Sequence, residues 1–488
     1  MKSPSVQLLL VLYLVSLAFV LGMGWPWPHD PDIWWHLKTG EWIAAHHAVP
    51  WTDPFGANTQ GAQWIAYSWL AELMFHWIDQ AQPMLGLHLL QGCIVAATVG
   101  ILFFHAHARS GSFRSAMLLA TLFLAPMTPW VARPQIFSFL FTALTMLILW
   151  WGRHRNARVL WFLPPLMVVW ANIHVYFIVG IGLMALHFLE DWKRLPGQKF
   201  PHGVLLLLCL LAPLLNPYGV HLYEEVFLLA KHGSDGWAAG AIRELASPGF
   251  HDWPMKIFFL WVALGCAALM LSEKKPGMAT LLLFIGLLYQ ALQHRRDIPY
   301  FVIVTMPIIA DYLAHLPWQS WRDFFSQGQY APWLRLSAPR ALIHWLAALG
   351  VLAVILVPQH RMPNASDRFR AEHRRTEMAG AVEYLLRARP PGPLYHSLTW
   401  GGYFIYTLTP AYKIYLDGRT QLYSRRFWEA HDRVRLGRPD WEKKLDDSGA
   451  RTVIWEKDDP LASLLRLSPR WTVAWSDEHA VIFLKRVP

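Results

Sequence analysis

Apolar runs recur along this chain too often for one soluble core to absorb them. They lie near residues 5–24, 86–104, 115–132, 134–152, 159–172, 175–190, 203–216, 255–272, 277–292, 298–315 and 341–358. Runs of this kind cross a bilayer as helices, because a helix satisfies its own backbone polar groups where no water can. The chain therefore reads as a polytopic α-helical membrane protein with about 11 spans. Several runs are shorter than the roughly 18 residues a full crossing wants. Composition agrees, with 55% of the 488 residues hydrophobic, 16% charged and 28 of them Trp. A soluble domain could not hide that much apolar surface. One Lys precedes the first run and no small-x-small cleavage site follows it, so residues 5–24 read as a retained signal anchor. Cys93, Cys209 and Cys266 all fall in apolar runs and offer neither a metal spacing nor a disulfide pair.

The net charge of +10 invites a nucleic-acid reading. The placement of the basic residues rejects it, because they sit in short loops between apolar runs. With the N-terminus inside, the inside loops carry 13 basic residues, among them Arg109, Arg153, Lys193, Lys274 and Arg322, and otherwise look like plain connectors. The opposite loops carry six: Lys38, Arg133, Lys231, Arg243, Arg295 and Arg296. That imbalance sets the orientation, and an odd number of spans puts the tail outside. The expected domains are a transmembrane unit over 1–358, with its first outside loop over 25–85, and an extracytoplasmic unit over 359–488. The expected location is a bacterial inner membrane.

The first outside loop is the densest in chemistry. From Trp25 to Glu72 it gathers Asp30, Asp32, His36, Asp53 and Glu72 among eight tryptophans. Indoles favour the bilayer interface, so this stretch reads either as a polar site at the membrane surface or as an interfacial helix with a tryptophan belt. On an extended segment Asp30 and Asp32 share a face; on a helix that starts after Pro31 they diverge, and Asp30 becomes an N-cap. As a site, the pair could hold a divalent cation, Mg²⁺ or Mn²⁺, against a diphosphate. Alternatively one carboxylate could be a general base for an acceptor hydroxyl.

The other unusual polar residues fall on the same face. Arg133 sits in WVARPQ, Asn172 and His174 in WANIHVYF, Glu224 and Glu225 after NPYGVHLY, and Arg295, Arg296 and Asp297 in QHRRDIPY. Arg133, Arg295 and Arg296 are candidate phosphate ligands, because a guanidinium meets an oxyanion with two parallel hydrogen bonds. Arg133 also reads as a snorkelling residue at a span end. His174 and Glu224 are further candidates for substrate contact, beside plain structural or solvated readings. In the tail, helix and strand signals alternate. Helices are expected at 379–388, 427–434 and PLASLLRL, strands at PLYHSL, YKIYLDG and ARTVIWEK, and a closing hairpin at WTVAWS and AVIFLKR, so the tail reads as a small α/β domain. Gly401-Gly402 reads as a turn.

The order of these parts resembles the GT-C superfamily of membrane glycosyltransferases: a carboxylate motif in the first outside loop, many spans, and an α/β tail on the same face. DPDIWWHLKTGEWI, ARPQIFSF, WANIHVYFIVG, NPYG and WGGYFIYTLTPAYKIYLDGRTQLY resemble a bacterial multi-pass group regarded as GT-C-like. The tail has no WWDxG-type motif, which separates it from oligosaccharyltransferases proper. The resemblance implies a polyprenyl-phosphate-linked sugar donor, transfer on the outer face, and Asp30 or Asp32 in the acidic-motif role. Membrane lipids and a lipid-linked sugar are the expected partners, nucleic acid is not, and the acceptor is not specified. A non-catalytic scaffold or transporter component of envelope polysaccharide assembly is the competing reading. A transporter should carry its ionisable groups at mid-membrane, whereas here they gather at one face. A large outward cavity walled by Asp30 or Asp32 would separate enzyme from scaffold.

Overall fold

The computed structural model describes residues 4–22, 30–83, 85–124, 131–194, 199–234, 244–249, 251, 253–317 and 378–486. The apolar run at 341–358, Trp25, Trp27, Arg243, Arg322 and the border expected at 358 lie outside the described residues.

The described chain is mostly helical. The apolar runs become α1 (Pro4–Gly22), α4 (Leu85–Ser110), α5 (Phe113–Phe123), α6 (Gln135–His154), α7 (Leu163–Ile173), α8 (Phe177–Arg194) and α9 (Lys199–Leu211). After α10 (His221–Ser234) come α11 (Trp253–Leu271), α12 (Met278–Gln293) and α13 (Ile298–Ala314). Three described helical stretches are long and apolar enough to cross a membrane: Leu85–Ser110, Gln135–His154 and Arg295–Ala314. Arg295–Ala314 is the most enclosed of them, with 89% of its apolar window inside the protein. It is the central post, and Tyr300, Phe301, Ile303 and Met306 pack there against Phe139, Phe258 and Trp261 in one continuous core.

At one end of the bundle, acidic residues tie the basic connectors down. Asp311 takes Arg109 at 3.0 Å and Lys274 at 2.8 Å, and Arg153 meets Glu190 at 2.8 Å and Asp191 at 2.6 Å. These loops are thus more than bare positive charge. A loop count misses the pairing because the carboxylates sit at helix ends distant in sequence.

At the other end lies the first loop. It folds as a helical pair, α2 (Ile33–His46) and α3 (Trp69–Ala81), whose first turns meet. His36 Nδ1 and Glu72 Oε1 share a buried 2.9 Å hydrogen bond between the two helices.

The tail carries a helix at 378–388 (α14), α15 (Leu398–Leu408), α16 (Arg425–Arg435), α17 (Trp441–Asp447) and α18 (Pro460–Leu467). Its sheet has the order β1-β2-β4-β3, from Leu394–His396, Thr452–Glu456, Trp471–Ser476 and Ala480–Lys485. The β1–β2 pair is parallel and the β3–β4 hairpin antiparallel. Helix starts are set locally: Ser424 accepts the Phe427 N–H, and Asp459 accepts the Leu461 N–H ahead of Pro460. Two tail expectations need correction. YKIYLDG is no strand, because only Ile414 bridges, to Leu394 on one side and to Gly56 of the first loop on the other. Gly401-Gly402 is no turn but part of α15, packed against Leu416 and Pro31.

The tail is fused to the first loop. Trp35, Phe55 and Trp64 share one core with Phe404, Ile414, Ile454 and Ile482. Each such fully buried side chain contributes about 1.5–3 kcal/mol, so this junction is a packed interior rather than a tether. The contact places loop and tail on the same side of the bundle.

Candidate functional site

Asp30 and Asp32 meet Arg133 at the mouth of the bundle. Asp30 Oδ1 accepts the Asp32 backbone N–H at 2.8 Å, and its carbonyl accepts the Ile33 N–H at 3.1 Å. The carboxylate of Asp30 thus organises the chain where α2 starts, as a cap would, although Asp32 is the residue next to the helix and makes no capping bond of its own. Arg133 precedes Pro134 at the start of α6. Its Nε reaches Asp30 Oδ2 at 2.7 Å and its Nη2 reaches Asp32 Oδ2 at 2.9 Å. Its Nη1 reaches Glu244 at 2.8 Å. One guanidinium therefore serves three carboxylates.

The electrostatics of Asp32 follow from this. Burial raises its carboxyl most, the Arg133 cation pulls it back, and Asp30 and Glu244 push it up again, leaving it raised to about 6. A partly buried acid poised there is mostly ionised at neutral pH and still basic enough to take a proton.

A second set lies beside the first. Arg296 follows the end of α12; its guanidinium faces the Tyr176 ring at 6.0 Å and makes no ion pair among the described residues. Its Nε is buried without a hydrogen-bond partner. His174, in the break between α7 and α8, is hydrogen-bonded through Nδ1 to Ser138 Oγ at 2.8 Å and stacks on Tyr176. Burial first, then the Arg296 and Arg133 cations, pushes His174 down to about 3, so the imidazole is neutral. Arg296 lies close enough to the Asp297 and Glu244 carboxylates for their charges to bear on it.

The remaining candidates lie apart. Arg295 turns its Nε toward the Ser247 carbonyl at 3.4 Å. Glu224 is exposed and pairs with His221 at 2.8 Å. Its neighbour Glu225 is the buried one, pushed up to about 7 by that burial. Adjacent helical residues point about 100° apart, so only one of the two can face inward.

No protein-family model matches the chain, and no curated protein matches it in sequence. Solved structures do match. The apo oligosaccharyltransferase of Archaeoglobus fulgidus superposes with a TM-score of 0.56 at 12% identity, over 91% of this chain and 69% of that one. ArnT from Cupriavidus metallidurans, bound to undecaprenyl phosphate, superposes with a TM-score of 0.52 at 15% identity, over 99% of this chain and 98% of that one. The fold is that of the GT-C glycosyltransferases. In this GT-C frame, the expected cation site can be tested on its donors. Arg133 stands between Asp30, Asp32 and Glu244, and the described residues contain no group of three His, Cys, Asp or Glu side chains arranged to ligate a metal. The donor set fits a guanidinium and not a divalent ion.

Sequence reading placed Glu244, in IRELASPGF, on the outside face without giving it a role, and missed the division of the acidic loop. Asp53 is not part of the Arg133 cluster. It accepts from the Phe55 and Gly56 amides and from Arg419 of the tail at 2.7 Å. Arg419 also binds Asp417 through Nε and Nη2, each at 2.8 Å, and lies over Trp64 at 4.6 Å. Nothing local in the sequence marks that partnership. A cavity of about 460 Å³ opens nearby between Ala57, Arg389, Tyr412 and Lys413, and neither Asp30 nor Asp32 lines it.

Proposed function

We propose that the protein is a membrane glycosyltransferase that moves a sugar from a polyprenyl-phosphate-linked donor to an acceptor hydroxyl on the outer face of the membrane. The observation that carries this reading is the pairing of two differently committed cations on a GT-C fold. Arg133 holds Asp30 and Asp32, while Arg296, near His174, makes no ion pair among the described residues. The undecaprenyl phosphate bound by ArnT supports the choice of ligand class.

In this scheme Asp32 accepts the proton of the acceptor hydroxyl. The acceptor oxygen bonds to the anomeric carbon as the bond from that carbon to the phosphate oxygen breaks, with inversion. The departing phosphate takes up negative charge, and Arg296 stabilises it through charge-assisted hydrogen bonds. No step runs through a metal ion.

Asp30→Asn and Asp32→Asn test the scheme in vesicles that hold the full chain. Labelled sugar is followed as it leaves a panel of polyprenyl-phosphate sugars. Asp32→Asn should lower transfer by roughly 100-fold, the usual scale for removing a general base. Asp30→Asn should lose less, because its amide oxygen can still accept the Asp32 N–H. Near-native transfer by folded Asp32→Asn would favour a non-catalytic scaffold. The cavity that leaves out both aspartates is the observation on that side.

A further inference from the structure

The tail reaches the acidic motif at one point. Gly418 lies between the two halves of the Asp417–Arg419 ion pair and against Asp32. A Cβ on Gly418 would overlap Asp32 Oδ1 and stand 3.2 Å from Trp35 Nε1. Close approach of backbone to a carboxylate is a use that only glycine allows. Gly402 of α15 makes the matching approach at Pro31, just before Asp32, where a Cβ would overlap the Pro31 carbonyl oxygen and stand 3.5 Å from Trp35 Cδ1. Trp35 is 8% exposed, and its indole N–H is buried with no other acceptor. The contact with Asp32 falls short of a well-formed hydrogen bond, yet the N–H still favours the ionised carboxylate.

We infer that Gly418 and Trp35 are positioning residues that seat the Asp32 carboxylate from the tail side, so that the acidic motif takes its working geometry only with the tail docked. Arg133 holds Oδ2 at 2.9 Å from the bundle side, and the tail confines Oδ1. The groups that face Asp32 are then Asp30 from its own segment, Arg133 from the start of α6, Glu244 from the loop before α11, and Trp35 from α2. The docking is rigid because Arg419, one residue on, is wholly buried against Asp53 and Asp417.

The inference rests on Asp32 as proton acceptor for its effect on turnover, but the seating itself can be read without turnover. The full chain in nanodiscs is titrated while infrared absorption follows the protonated carboxyl, with the Asp32 band assigned as the one that Asp32→Asn removes. Trp35→Phe keeps the packing and removes the N–H. Its Asp32 band should titrate at higher pH than the wild-type band, and sugar transfer should lose its acid side to match. Gly418→Ala should displace the band and slow transfer by tenfold or more, with binding of polyprenyl phosphate unchanged. Wild-type titration in both variants would overturn the seating, as would full transfer by Gly418→Ala where Asp32→Asn is inactive. Should Asp32→Asn itself keep transferring sugar, the proton-acceptor role falls, and the infrared shifts still decide whether the tail seats the carboxylate.

Discussion

Arg419 Nη1 donates to Asp53 Oδ1 at 2.7 Å across 366 residues of sequence, with both side chains wholly excluded from solvent. Asp417 closes the set from the other side, and Tyr423 donates to it at 2.9 Å. The Arg419 cation and these hydrogen bonds outweigh burial, so the Asp417 carboxyl lies below its usual range. Arg419→Ala would leave two buried carboxylates without a cation. The expected cost is about 3–5 kcal/mol, the scale for breaking a buried ion pair from one side. Thermal unfolding in detergent checks it. The pH dependence has a definite sign. A carboxyl held low in the folded state adds stability above its unfolded value, and that stability is lost as pH falls toward the folded value.

Arg133→Ala removes the cation shared by Asp30, Asp32 and Glu244. Arg133 lowers the Asp32 carboxyl, so its loss should raise that group by about 1–3 units, the effect of a neighbouring arginine. The acid limb of the pH–rate profile, expected near pH 6 in the native protein, should then move to higher pH. An unmoved limb would dissociate Arg133 from the reacting carboxylate.

Arg296 and Arg295 should separate in a ligand-binding assay. Arg296→Ala is expected to weaken polyprenyl phosphate binding by about 1–3 kcal/mol, the value of a lost charge-assisted hydrogen bond. Arg295→Ala should change it little, because that guanidinium turns to the Ser247 carbonyl. Titration of the lipid phosphate into nanodisc-held protein measures both. Equal losses would mean that the two arginines act as one clamp.

Reporter fusions check the orientation. The excess of basic residues in alternate loops predicts position 275 inside and 450 outside. Fold contacts require only that the first loop and the tail share a side, as the Gly56–Ile414 bridge does. A cytoplasmic reading at 450 would put the acidic motif inside as well.

Sequence alone determined the helical membrane character, the rough position of each described apolar helix, and most tail elements. Those follow from local hydropathy and turn chemistry, which need no partner to be read. The concentration of polar residues around Asp30, Asp32, Arg133, His174 and Arg296 was legible for the same reason, since charge beside an apolar run is costly wherever it occurs. Only the tertiary structure decided how those residues divide. It committed Arg133 to carboxylates, left Arg296 without an ion pair among the described residues, turned Glu224 outward and Glu225 inward, and sent Asp53 to Arg419 of the tail rather than to the Arg133 cluster. A side chain's partner depends on which distant segment packs beside it. Arg419 and Gly418 meet the first loop only because a shared apolar core brings them there.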